Sequence, residues 1–239
     1  MADVLSQDEI YNLLKAVDNA KTTDKKETGD SGVENRQLKF TSEQLGKIKI
    51  IFDKFALKAK KSLSGKLGAA VEMYAASIDQ LTVDEVYRCI PVPTVLGLIN
   101  MEPLKGAALF EIDPLISFPI IDIICKRRTA TKPNRALTDD EENIMKDIYA
   151  LLLENLRQAW SEVADVPSVD VPSVDLRLSL KKIEPDPKFI KLAPPEEMTA
   201  LITLAVQIEG TQTPEAQGMM NYCIPFPVIE PILEKVSEL

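Results

Sequence analysis

The chain has 239 residues, a formal net charge of -9 and no histidine, and it is 45% hydrophobic and 27% charged. Those proportions describe an ordinary globular chain, long enough for one domain of usual size or two small ones. The missing histidine excludes Ser-His-Asp and Cys-His nucleophile arrangements, His-containing zinc sites and a histidine phosphorelay, and the acidic balance argues against non-specific nucleic-acid binding.

The first ten residues are polar and acidic, and no run of about 18 apolar residues follows anywhere, so neither a secretory signal nor a transmembrane segment is expected. Cys89, Cys125 and Cys223 are far apart and lack C-x-x-C spacing, and they read as reduced thiols. No cofactor and no metal is expected.

The N-terminal segment carries a complete helix start. Leu5 precedes Ser6 as N-cap, Glu9 sits at the third helical position for a capping box, and Ile10 can close a hydrophobic staple with Leu5. Ile10, Leu13, Leu14 and Val17 fall at i, i+3, i+4 and i+7, one apolar stripe. A helix of about twelve residues is marginal alone in water, so the stripe needs a surface to cover it. A groove on a partner suits it, with Gln7, Asp8 and Glu9 as an anionic rim; folding back onto its own domain is the alternative. Residues 18–38 are almost wholly polar and charged and read as a flexible linker, with a root-mean-square reach of ~25 Å for roughly 20 residues.

Thr41-x-x-Gln44 then opens a long helix with Leu45, Ile48, Ile51, Phe52, Phe55, Ala59, Leu63 and Leu67 at intervals of three and four. Strand-like segments are expected at Val83 to Ile90, Thr94 to Met101 and Ala107 to Ile112, followed by a short helix over Leu115 to Ile124. The second half repeats this order. Thr138-x-x-Glu141 is another capping box, and Ile144, Ile148, Leu151, Leu152, Leu156, Ala159, Trp160 and Val163 mark a buried stripe. Strands at Leu176 to Ile183, Glu197 to Glu209 and Gly218 to Pro225 precede a short helix from Val228 to about Val236. The repeated Asp-Val-Pro-Ser-Val at 165–174 reads as a surface connection, and Met219-Met220 as strand core before plastic partner surface. The duplication predicts one α/β domain with an internal pseudo-two-fold, its sheet covered by the long helices.

Leu5-Ser6-Gln7-Asp8-Glu9-Ile10 with Leu13-Leu14 resembles the N-terminal peptide of the flagellar motor switch protein FliM family, although Tyr11 stands where that family has Asp. Strings downstream resemble the same family in its order: Phe52-Asp53-Lys54-Phe55-Ala56, Asn100 to Gly106, Phe110-Glu111-Ile112-Asp113-Pro114, Pro194 to Met198 and Gly218 to Pro225. The resemblance implies an α/β fold: a single CheC-like middle domain with an internal pseudo-two-fold repeat (long helix, three strands, short helix, twice), plus a short N-terminal peptide helix on a flexible linker. The expected divisions are 1–17 for the peptide helix, 18–38 for the linker and 39–239 for the middle domain.

The resemblance further implies a flagellar motor switch (C-ring) component that controls rotation direction in chemotaxis, cytoplasmic and peripheral at the inner membrane in the flagellar basal body. Leu5, Ser6, Gln7, Asp8, Glu9, Ile10, Leu13 and Leu14 would bind phosphorylated CheY. The middle domain would couple to FliG and to neighbouring FliM subunits in a ring. Where the family carries a Gly-rich loop for FliG, this chain has Cys125, Lys126, Arg127 and Arg128 at the start of a basic, glycine-free stretch, a changed dock or a merely solvated loop. The family's further FliN-like domain has no counterpart before Leu239, so FliN assembly through it is not expected. Two alternatives remain: a soluble paralogue that binds phosphorylated CheY without joining the ring, and a CheC- or FliY-type phosphatase. The second is disfavoured because the phosphatase pair Glu-x-x-Asn occurs here only as Glu9-x-x-Asn12 in the N-terminal peptide, outside both long helices. The expected product is therefore a docking protein and not an enzyme.

Overall fold

The computed structural model describes residues 38–127, 134–164, 176–209 and 216–237. The expected peptide helix at 1–17, the linker up to Gln37, Arg128 and the duplicated segment at 165–174 lie outside the described residues. The elements in chain order are α1 (Ser42–Leu67), β1 (Val71–Thr82), α2 (Val83–Cys89), β2 (Val95–Glu102), β3 (Ala107–Ile112), α3 (Pro114–Ile124), α4 (Asp139–Ala164), β4 (Arg177–Glu184), β5 (Met198–Ile208), β6 (Ala216–Pro225) and α5 (Phe226–Ser237).

Both long helices start where their capping signals stand. The Thr41 hydroxyl accepts from the Gln44 amide at 3.1 Å, and the Gln44 side chain accepts from the Thr41 amide at 2.9 Å. α1 stops at Gly68, whose φ of 63° places it in the left-handed region that glycine enters without a Cβ penalty. At α4 the Thr138 amide donates to Glu141 at 3.0 Å and the Glu141 amide donates back to the Thr138 hydroxyl at 3.4 Å. The apolar stripes expected from the spacing are the buried ones: Ile48, Ile51, Phe52, Phe55, Ala59 and Leu63 on α1, and Ile148, Leu152, Leu156, Ala159 and Trp160 on α4.

The six strands form one antiparallel sheet in the order β1-β5-β6-β3-β2-β4. Exchanging the two halves of the chain (β1 with β4, β2 with β5, β3 with β6) turns that order into its own reverse. The pseudo-two-fold inferred from the duplicated element order therefore passes between β3 and β6, where Phe110 pairs in register with Tyr222.

One expected strand is a helix. Val83 to Cys89 is α2, because Thr82 caps it: the Glu85 amide donates to the Thr82 hydroxyl at 3.2 Å and the Thr82 amide donates to the Glu85 carboxylate at 2.9 Å. Asp84 and Glu85 in the first turn and Arg88 in the last suit the helix dipole, and the two buried residues, Val83 and Val86, have helical spacing. The third strand of this half is instead β1, an edge strand that buries Val71, Met73 and Ala75 and turns Glu72 and Tyr74 outward before a bulge at Ala75/Ser77.

The sheet has two unlike faces. Against one face α1, α3, α4 and α5 bury a continuous apolar core, and an aromatic chain runs through it. Phe52 lies 5.3 Å from Tyr222, Tyr222 lies 5.2 Å from Phe110, and Phe110 lies 5.6 Å from Tyr149, measured between ring centroids. On the other face α2 and the segment around Ile190 cover only a smaller apolar group of Leu96, Leu98, Leu109 and Cys223. The Met219-Met220 pair is divided by this arrangement: Met220 is fully buried in the main core, while Met219, on the opposite face, is 52% exposed.

Candidate partner-docking site

The loop between α3 and α4 is where the basic stretch stands, and its base is built from both helices. Asp113 caps α3 by accepting from the Leu115 amide at 2.7 Å, with Pro114 in the first turn, a position that lacks an intrahelical partner anyway. α3 closes in a Schellman turn: the Lys126 amide donates to the Ile123 carbonyl at 3.1 Å and the Arg127 amide to the Asp122 carbonyl at 2.8 Å. Lys126 holds the left-handed position of this turn, with φ 52°, the only non-glycine residue with positive φ among the described residues. The glycine expected of such a turn is absent, yet the backbone conformation that glycine serves is present. A lysine there costs roughly 1–2 kcal/mol relative to glycine.

Glu141, in the first turn of α4, is the anchor of the loop. Its carboxylate is 3% exposed and accepts two hydrogen bonds from the Arg135 guanidinium, at 2.7 and 2.9 Å. Arg127 reaches the same carboxylate at 3.3 Å. Arg135 also lies 5.1 Å over the Phe118 ring of α3. The Arg135 hydrogen bonds, followed by those from Thr138, hold the Glu141 carboxyl at about 2, well below the usual carboxylate range. The two ends of the loop thus converge on one buried charge, and the segment between them is closed at its base.

This changes the reading of the expected site residues. Cys125 is a half-buried helix cap and Lys126 is exposed. Arg127 is half-exposed but committed to Glu141, so it is not a free arm waiting for an acidic partner. Arg128 and the peptide residues Leu5 to Leu14 lie outside the described residues. Sequence reasoning did not assign a role to Arg135, Phe118 or the carboxylate of Glu141 beyond capping. The available signal was a capping-box glutamate with arginines on the loop just before it. Chemically the arrangement offers a shaped turn, an exposed ammonium at Lys126 and a fixed base.

The sequence profile of the flagellar motor switch protein FliM family matches residues 41–239. The flagellar motor switch protein FliM of Treponema pallidum is 39% identical, aligned over 99% of this chain and 67% of that protein. The FliM of Borreliella burgdorferi is 36% identical, over 98% of this chain and 66% of that protein. The chain spans about two thirds of the length of these relatives. Among solved structures, FliM in a FliG–FliM complex from H. pylori aligns with a TM-score of 0.72 and 28% identity, covering 82% of this chain and 100% of that one. With the capped helix pairs, the duplicated sheet and this similarity along its length, the chain belongs to the FliM family of flagellar motor switch proteins.

Proposed function

We propose that this chain works as a switch component of the flagellar motor, in which the α/β domain couples to FliG through the α3–α4 loop while the N-terminal segment takes phosphorylated CheY. The FliG–FliM complex among its structural neighbours supports the coupling to FliG. The observation that carries its placement is the Lys126 turn, a glycine-like backbone shape presented beside the Glu141 anchor. In this reading Leu5, Ser6, Gln7, Asp8, Glu9, Ile10, Leu13 and Leu14 are the regulator-binding residues, and the polar composition of 18–38 suits a tether that raises the regulator's concentration near the domain.

The work is done by differential binding. A regulator that binds one orientation of the domain in a ring of neighbouring FliM subunits better than the other shifts the population between them, and FliG follows. No bond is made or broken by this chain. In this reading it sits at the cytoplasmic face of the inner membrane as part of the flagellar basal body.

Two measurements test the proposal. Pull-down of FliG by the full chain should succeed and should weaken at least ~10-fold in a Lys126→Glu variant that keeps its fold. Failure of the parent chain to bind FliG would favour the soluble regulator-binding reading. Titration of the full chain with CheY should show tighter binding of the phosphorylated form, and equal affinity for both forms would sink the switching role.

A further inference from the structure

On the sheet face away from the long helices, a cross-strand row runs from Leu96 on β2 through Glu111 on β3 and Asn221 on β6 to Thr203 on β5. Glu111 is 1% exposed, and each of its carboxylate oxygens accepts one neutral donor: the Thr94 hydroxyl at 2.7 Å and the Asn221 amide at 2.6 Å. Asn221 is in turn held by the Thr203 hydroxyl at 2.9 Å. No lysine or arginine pairs with Glu111 among the described residues, and its charged neighbour is another acid, Asp113.

Glu111, Asn221 and Thr203 of this row form the polar floor of a cavity of about 220 Å³. Its walls are apolar, from Leu96, Leu109, Leu201 and Ile90, and exposed Met219 and Cys89 stand at its rim. Taking a carboxylate out of water without a counter-ion costs several kcal/mol, and burial accordingly pushes the Glu111 carboxyl upward. A carboxylate has about four acceptor positions, and the neutral donors occupy two of them. Strands cemented only by hydrogen bonds would be served equally by a glutamine. A carboxylate at the base of an open, apolar-walled cavity, with acceptor positions to spare, is suited to a cation.

We infer that this cavity binds an organic monocation, a primary ammonium on a short apolar stem, with its head group on Glu111 and its stem along Leu109, Leu201 and Met219. Asp113 adds a second negative charge nearby, so an anionic ligand is opposed and a neutral one gains nothing from the floor. The volume, about seven times the share of one liquid water, admits a stem of a few carbons.

The test is calorimetric titration of the full chain with n-butylammonium chloride, with 1-butanol and potassium chloride as controls. A saturable Kd on the order of 1 mM for the ammonium is expected, as befits a ligand of so few atoms, and none for either control. Glu111→Gln, which keeps the shape of the floor, should weaken the ammonium at least ~10-fold. Met219→Trp acts at a half-exposed rim position and should block entry even where Glu111→Gln fails to fold. Absence of ammonium binding to the parent chain, equal binding of butanol, or binding unchanged by either folded variant would overturn the inference.

Discussion

Phe110 and Tyr222 face each other in register across β3 and β6, with ring centroids 5.2 Å apart and planes at 60°. They occupy corresponding places in the two halves of the chain, so the pair sits on the pseudo-two-fold itself. Every other strand is added outward from it in matching order.

The pair is not fully matched. Among the described residues the buried Tyr222 hydroxyl has no hydrogen-bond partner, whereas Phe110 has no polar side-chain atom to satisfy. Replacing Tyr222 by Phe removes an unsatisfied polar atom, and should stabilise the domain by about 1 kcal/mol, read as a rise in the urea midpoint at unchanged m. Tyr222→Ala should instead cost roughly 3–5 kcal/mol, because it empties the centre of the aromatic chain.

Tyr149 binds α4 to the sheet by a different means. Its hydroxyl lies 2.7 Å from the Phe110 carbonyl and 3.0 Å from the Val95 carbonyl, and its ring occupies the space over Gly97. A Cβ at Gly97 would fall 2.8 Å from the Tyr149 ring and 3.0 Å from Leu180. Gly97→Ala should therefore destabilise by about 1–3 kcal/mol in denaturant titration, a cost of crowding at a close helix–strand approach.

Glu141 gives the domain an acid limb. Its folded pKa, about 2, lies below the ordinary carboxylate value, so the stability it contributes is fully present above about pH 5 and is lost as pH falls towards 2. The arginines are half-exposed and screened by solvent, which brings the contribution to roughly 2 kcal/mol. Glu141→Gln should lower the urea midpoint at pH 7 and flatten its decline between pH 5 and pH 3. An acid limb as steep in the variant as in the parent would assign that limb to other carboxylates.

Lys126→Gly tests the turn at the end of α3. Glycine relieves the left-handed strain but adds freedom to the unfolded chain, and the net expected gain is roughly 0.5–1 kcal/mol in thermal or urea unfolding. If Lys126 contributes its charge to the FliG contact, the same variant should be more stable and bind FliG less well.

Much of this architecture was legible locally. The capping boxes at Thr41 with Gln44 and Thr138 with Glu141, and the apolar spacing behind them, determined the two long helices, because the free energies of capping and of amphipathic periodicity are settled within a few residues. The same signal at Thr82 with Glu85 was present and outweighed by the β-branched look of Val83 and Val86, while the outer strand Val71–Thr82 was hidden by a bulge that breaks its alternation. The duplicated order of elements announced the pseudo-two-fold, and the ordered strings announced the family.

Tertiary structure alone decided which strands meet and which charges gather. Glu111 and Asn221 are 110 residues apart and share a hydrogen bond, and no feature near either residue names the other. The convergence of Arg127 and Arg135 on Glu141 converts what composition offered as a loose basic run into an anchored loop. The absence of histidine excluded the familiar histidine chemistries from the sequence alone. Which face of the sheet each side chain lines is set by strand register, since a slip of one residue would turn Glu111 and Met219 into the core and Phe110 and Tyr222 out of it.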